Sequence, residues 1–106
     1  MGRCVIAAYT PKPGAEQALL EAVQKHLEVL RAESLVTERP AYVMRAANGT
    51  VVEVFEWRSA ESIKQAHENP AVQSLWAEFG AICEYTRLAR LPEAQDMFAE
   101  FDSVEF

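Results

Sequence analysis

Two runs rich in β-branched and aromatic residues, YVMRA (42–46) and VVEVFEW (51–57), flank Ala47-Asn48-Gly49-Thr50. Asn-Gly tolerates positive φ at both centres of a type I′ turn, so the segment predicts a hairpin with a two-residue turn, Ala47 opposite Thr50. Side chains alternate across a strand. That register therefore sets Ala41, Val43, Arg45, Val52, Val54 and Glu56 on one face, and Tyr42, Met44, Ala46, Val51, Glu53, Phe55 and Trp57 on the other. Both faces carry apolar side chains, so this hairpin has to sit in a sheet covered on both sides.

The flanking segments supply the covers. CVIAAY (4–9) reads as a strand ended by Thr10-Pro11-Lys12-Pro13-Gly14. From about Ala15, Leu19, Ala22, Val23, His26, Leu27 and Leu30 recur at helical spacing over about five turns. Ser59 suits the N-cap of a second helix with Ile63, Ala66 and His67 on its inward stripe. Pro70 cannot continue that helix without losing a backbone bond, so Asn69 becomes a new N-cap with Pro70 at the first helical position. Val72, Leu75, Trp76 and Phe79 form the next stripe and Gly80 ends it. Residues 82–88 read as a last strand and 92–101 as an amphipathic tail helix. The order β-α-β-β-α-β is the ferredoxin-like split, an α+β fold with an antiparallel sheet, spanning one domain over 1–106 with 91–106 as a C-terminal extension.

Helices cover one face of such a sheet. The other face, still apolar, calls for a second sheet, which predicts a homodimer packed face to face. The tail stripe Ala94, Met97, Phe98 and Phe101 has no place in its own core, so it is expected to pack across the dimer interface and over a cavity mouth.

Composition narrows the partners. A formal net charge of −6, with Lys12, Lys25 and Lys64 scattered, argues against nucleic acid. No segment approaches the ~20 apolar residues of a membrane span. No signal sequence is evident, and Ile6 stands where a myristoylation motif needs Ser or Thr, so a cytoplasmic protein is expected. Asn48-Gly49-Thr50, a glycosylation sequon in form, then reads as the turn. Cys4 and Cys83 lack metal-ligand spacing; they are expected to be reduced, inert and close together, since the first and last strands are neighbours in this fold. No metal or other cofactor is expected.

VEVFEWRS (52–59) followed by AHENPAVQSLWAEF (66–79) resembles the antibiotic-biosynthesis-monooxygenase-like group of the dimeric α+β barrel proteins, as do YTPKPG and the aromatic tail LPEAQDMF. The resemblance implies a homodimer with a pocket between helices and sheet in each subunit, open to a small, mostly apolar molecule. Cofactor-free monooxygenases of this group let a deprotonated, electron-rich substrate reduce oxygen itself. Haem-degrading relatives carry an asparagine in the first strand and a helix histidine as iron ligand. CVIAAY has no asparagine, which argues against that chemistry.

Among the candidate residues, His67 serves either as a packed side chain bonded to backbone or carboxylate, or as a pocket base, because an imidazole works in either protonation state near neutral pH. Glu53 is the one acid among Tyr42, Met44, Phe55 and Trp57. It is either a catalytic carboxylate or half of an ion pair with Arg3, Arg58 or Arg87. Glu56 is expected to pair with Arg45. Trp57, Trp76, Tyr9 and Tyr85 are core residues or cavity walls, and His26 lies at the edge of its stripe. Two functions follow: a monooxygenase-like protein acting on an aromatic or electron-rich metabolite, with His67 and Glu53 as catalytic groups, or a non-catalytic dimeric module for ligand binding or assembly. A cavity holding His67 and a carboxylate favours the first; one filled by Trp57, Trp76 and Met44 favours the second.

Overall fold

The computed structural model describes residues 1–106. In chain order the elements are β1 (Arg3–Pro11), α1 (Glu16–Ala32), β2 (Tyr42–Arg45), β3 (Val51–Trp57), α2 (Ala60–Glu68), α3 (Pro70–Ile82), β4 (Cys83–Thr86) and β5 (Asp102–Ser103). The strands lie in the order β4-β1-β3-β2-β5, each neighbour antiparallel to the next. This is the α+β ferredoxin-like arrangement, with the second helix in two pieces. No helix is long and apolar enough to cross a membrane.

The helix boundaries follow local chemistry. Ser59 Oγ accepts the Ser62 N–H at 3.2 Å and starts α2. Asn69 Oδ1 accepts the N–H groups of Ala71 and Val72 at 2.9 and 3.2 Å, capping α3 with Pro70 in its first turn. Gly80 does not stop α3, which continues to Ile82 and shortens the last strand to Cys83–Thr86. The end of α1 is a Schellman motif. Ser34 takes φ 57°, its N–H reaches the Arg31 carbonyl at 3.0 Å, and the Leu35 N–H reaches the Leu30 carbonyl at 3.0 Å. That reversal delivers buried Leu35 and Val36 to the core.

The hairpin register differs from the two-residue reading. Tyr42 lies opposite Val54 and Arg45 opposite Val51, leaving Ala47-Asn48-Gly49 as a three-residue loop. Ala46 and Thr50 close it: the Ala46 N–H donates to the Thr50 carbonyl at 2.8 Å, and the Gly49 N–H to the Ala46 carbonyl at 3.0 Å. Only Gly49, at φ 92°, needs the left-handed region, whereas a type I′ turn would also demand it of Asn48. Asn48 instead accepts the Thr50 N–H at 3.0 Å through its side chain. The one-residue slip turns β2 over: Val43 joins Glu53 beneath the helices, while Tyr42 and Met44 move to the other face.

The helix-facing side of the sheet carries two buried clusters. One joins Tyr9, Val43, Val51 and Cys83 to Leu19, Val23, Leu75 and Phe79. The other joins Phe55 and Trp57 to Leu30, Leu35, Ala66 and Val72. The opposite face is covered in part by the chain's own C-terminus. Leu91 is fully buried against Ala8, Ala46 and Val52, with Leu88, Ala94 and Phe101 beside it. β5 then extends the sheet beyond β2.

This corrects two expectations. The tail is no amphipathic helix. It is two short 3₁₀ turns, Leu88–Arg90 and Pro92–Gln95, followed by an extended strand. Laying Leu88, Leu91, Ala94 and Phe101 onto a flat sheet and engaging β2 with backbone bonds requires extended chain at the end. Met97 and Phe98 are left in solvent, 91% and 79% exposed. Leu88 to Phe101 lie on the face away from α1–α3, whereas Val104 packs against the helix-side cluster and, with Glu105 and Phe106, lines a groove beside α1; none of these residues lines the cavity between Tyr9, His26 and Trp76. Secondly, Cys4 stands opposite Glu56 at one end of β1 and Cys83 opposite Pro11 at the other. Seven residues of extended strand, about 23 Å, hold the two free thiols apart.

Candidate functional site

Strand β1 presents Val5, Ala7 and Tyr9 to the helices, and β3 presents Glu53, Phe55 and Trp57 beside them. Ala7 lies directly opposite Glu53. Its methyl group leaves space that a larger side chain would fill, and a cavity of about 270 Å³ opens there. His26 from α1, His67 from α2, Trp76 from α3 and Tyr85 from β4 complete its lining, which is almost wholly apolar. One cavity thus gathers Tyr9, His26, Trp57, His67, Trp76 and Tyr85 from six elements.

Beneath it lies a closed polar network. Glu53 has no exposed surface, and its carboxylate meets no arginine. Oε1 accepts the Tyr9 hydroxyl at 2.7 Å, and Oε2 lies 3.0 Å from Nδ1 of His26. The expected pairing with Arg3, Arg58 or Arg87 does not form, since the inner face turns Glu53 inward between β1 and α1. Trp76 completes the chain by donating its indole N–H to Nε2 of His26 at 3.1 Å. An indole nitrogen only donates, so Nε2 is the unprotonated nitrogen and Nδ1 carries the proton given to Glu53. His26 is therefore neutral and Glu53 is a carboxylate held by two neutral donors. The phenol of Tyr9 is pushed up by burial and then by the charge of Glu53, which keeps it a donor.

His26 thus holds the position next to Glu53 that the sequence left open for His67. Nothing in α1's periodicity marks it beyond its place on the apolar stripe, and the contact depends on which face of β3 Glu53 occupies. His67 stands at the exposed rim, its ring 4.9 Å from that of Trp76 and edge-on to it. Its ring nitrogens bond to nothing within the chain; only its backbone carbonyl is engaged, by the Gln73 side chain. Tyr85, 63% exposed, faces Tyr9 across the strand pair, ring centroids 5.6 Å apart. Val5, Ala7 and Phe55 were missed as lining residues. Alternation with Tyr9 and Trp57 along their strands was the available signal. Met44 faces the opposite side of the sheet and fills none of the cavity. Glu56 pairs not with Arg45 but with Arg39, at 3.1 Å, and with the Thr37 hydroxyl, at 2.9 Å; both hold its carboxyl below the usual range. Nowhere do three or more His, Cys, Asp or Glu side chains group as metal ligands would.

A ferredoxin-like sheet with an apolar, aromatic-walled cavity under its helices defines an α+β fold of the small-molecule-binding kind. Residues 3–77 match the antibiotic biosynthesis monooxygenase family, and the chain belongs to it. Its fold is shared by the solved structure of Rv0793 from Mycobacterium tuberculosis, at 26% identity and a TM-score of 0.65, over 89% of this chain and 99% of that one. No protein of curated function matches.

Proposed function

We propose that the cavity binds a small, electron-rich aromatic molecule and that the protein oxidises it as a cofactor-independent monooxygenase. The observation that carries this is His67: a free imidazole at the mouth of an apolar cavity whose floor is a fixed carboxylate network. Such a cavity excludes water and orients a flat substrate between Trp57, Trp76 and Tyr85. His67 takes the acidic proton from a ring CH₂ flanked by phenols. The resulting carbanion passes electrons to molecular oxygen and a C–O bond forms as a peroxide. Loss of the second C–H proton then breaks the O–O bond, leaving a carbonyl and one water. The test is oxygen uptake with a panel of hydroxyanthrones, whose central ring carries that CH₂. Turnover that falls 10²-fold or more in His67→Ala, the usual size of a general-base contribution, is expected. Tight binding of the panel without any oxygen uptake would overturn it.

A second reading, a non-catalytic ligand-binding module, is favoured by Trp76. Its N–H occupies the one free nitrogen of His26, so the buried network is closed and offers no base. The same panel separates the two readings.

The uncovered part of the outer sheet face supports a homodimer. Ile6 and Tyr42, 50% and 73% exposed, stand there beside Val54. A stable pair buries roughly 1,200–2,000 Å² in total. Sedimentation at micromolar concentration is expected to show the dimer, and a species of 11.9 kDa alone would contradict it.

A further inference from the structure

We infer that the cavity sorts its ligands by charge: it takes aromatic molecules whose enclosed part is uncharged and turns away their anionic counterparts, with Glu53 setting the preference. This rests on the reading of the cavity as a ligand site and goes beyond it by naming the class of ligand: the substrate enters neutral and loses its proton only at the mouth, beside His67 and away from Glu53.

Four observations point the same way. Glu53 is an acceptor-only carboxylate, fully buried directly under the lining, and its partners Tyr9 and His26 are neutral. Trp76 keeps His26 neutral, because a proton on Nε2 would meet the indole N–H at 3.1 Å. No lysine or arginine lines the cavity, and the cations whose pairing the structure shows, Lys25 and Arg39, are bound to Glu78 and Glu56. The field of Glu53 also extends into the cavity: the phenol of Tyr85 is raised by burial, by Cys83 and by Glu53. The negative charge therefore stands uncompensated beneath apolar walls that screen it poorly. Two like charges about 8 Å apart at an effective dielectric of about 20 repel by enough to weaken binding about 30-fold.

The size of the cavity sets the probes. An apolar cavity of about 150 Å³ takes benzene, so about 270 Å³ suits a bicyclic ring system. 1-Naphthamide and 1-naphthoate have the same shape and differ in charge. Calorimetric titration of the full chain at neutral pH is expected to show the amide binding at least tenfold more tightly. In Glu53→Gln, whose folding circular dichroism checks, the ratio is expected to shrink toward one. Equal binding of amide and carboxylate to the native protein overturns the charge selection and leaves the ligand site standing. Binding of neither overturns both. A ratio unchanged in folded Glu53→Gln overturns the assignment to Glu53. Should that variant fail to fold, 1-naphthylmethylammonium decides in its place: it is expected to bind the native protein more tightly than 1-naphthoate, and binding as weak as that of the carboxylate overturns the assignment to Glu53.

Discussion

Trp76 donates its indole N–H to Nε2 of His26 at 3.1 Å, and this one bond settles where the imidazole proton sits. With Nε2 accepting, the proton on Nδ1 goes to Glu53, and a buried carboxylate gains its second donor without any cation nearby. The ¹⁵N shifts of the His26 ring are therefore expected to report a single Nδ1–H tautomer at neutral pH. In Trp76→Phe the restraint is gone, and a mixture of tautomers or a protonated ring is expected. A doubly protonated His26 ring in the native protein would contradict the assignment.

Tyr9 is the other donor to Glu53. Tyr9→Phe leaves Oε1 of the buried Glu53 carboxylate with only the 3.2 Å approach of His26 Nδ1, which costs about 1–3 kcal/mol. Its sign with pH can also be checked. The Tyr9 phenol is raised in the folded protein, so the unfolded chain loses its proton first as pH rises above about 10. The native chain's stability is full below that pH and declines above it, and Tyr9→Phe is expected to flatten this alkaline decline. Urea melts of both proteins between neutral and alkaline pH make the comparison. An alkaline slope unaltered in the variant would show that another group governs it.

Ser34 closes α1 at φ 57°, a conformation that costs a residue with a Cβ about 1 kcal/mol and glycine little. Ser34→Gly is expected to raise stability by roughly 0.5–1 kcal/mol, seen as a higher urea midpoint with unchanged slope. A lower midpoint would mean that the serine side chain contributes more than the backbone strain takes away.

Leu91 and Phe101 cover Ala8, Ala46 and Val52 on the outer sheet face. Removing residues 91–106 uncovers that surface and deletes β5, and Leu91 alone forgoes about 1.5–3 kcal/mol of burial. A lower thermal midpoint is expected. A truncated protein as stable as the full chain would show that the tail adds nothing to its own subunit.

The parts legible in the sequence were those fixed by local chemistry. The switch in apolar period at Ala15 and the Asn69-Pro70 break each belong to a few neighbouring residues, and the structure holds both. The β2–β3 register is not legible because Asn-Gly serves two turn types, and the choice between them places Val43 beside Glu53 on the buried inner face, which tertiary packing sets. The tail was misread because spacing of three and four residues suits a helix, yet here Leu91 and Phe101 are drawn onto a sheet built some fifty residues earlier. The site followed the same division. Its walls could be gathered from strand and helix faces, but the His26–Glu53 contact joins residues 27 positions apart through tertiary packing alone. Of the two roles open to Glu53, the ion pair with Arg3, Arg58 or Arg87 needs arginines that the fold never brings near it.

The central claim is that the space left by Ala7 between β1, β3 and the helices is a ligand site. The most direct measurement follows the indole N–H signals of Trp57 and Trp76, both in the cavity wall, by NMR while 1-naphthol is added. The native protein is expected to show saturable shifts of both signals. Ala7→Leu, which fills the space from β1 and leaves His67 and Glu53 in place, is expected to show none. Unperturbed indole signals in the native protein, or the same shifts in Ala7→Leu, would contradict the account.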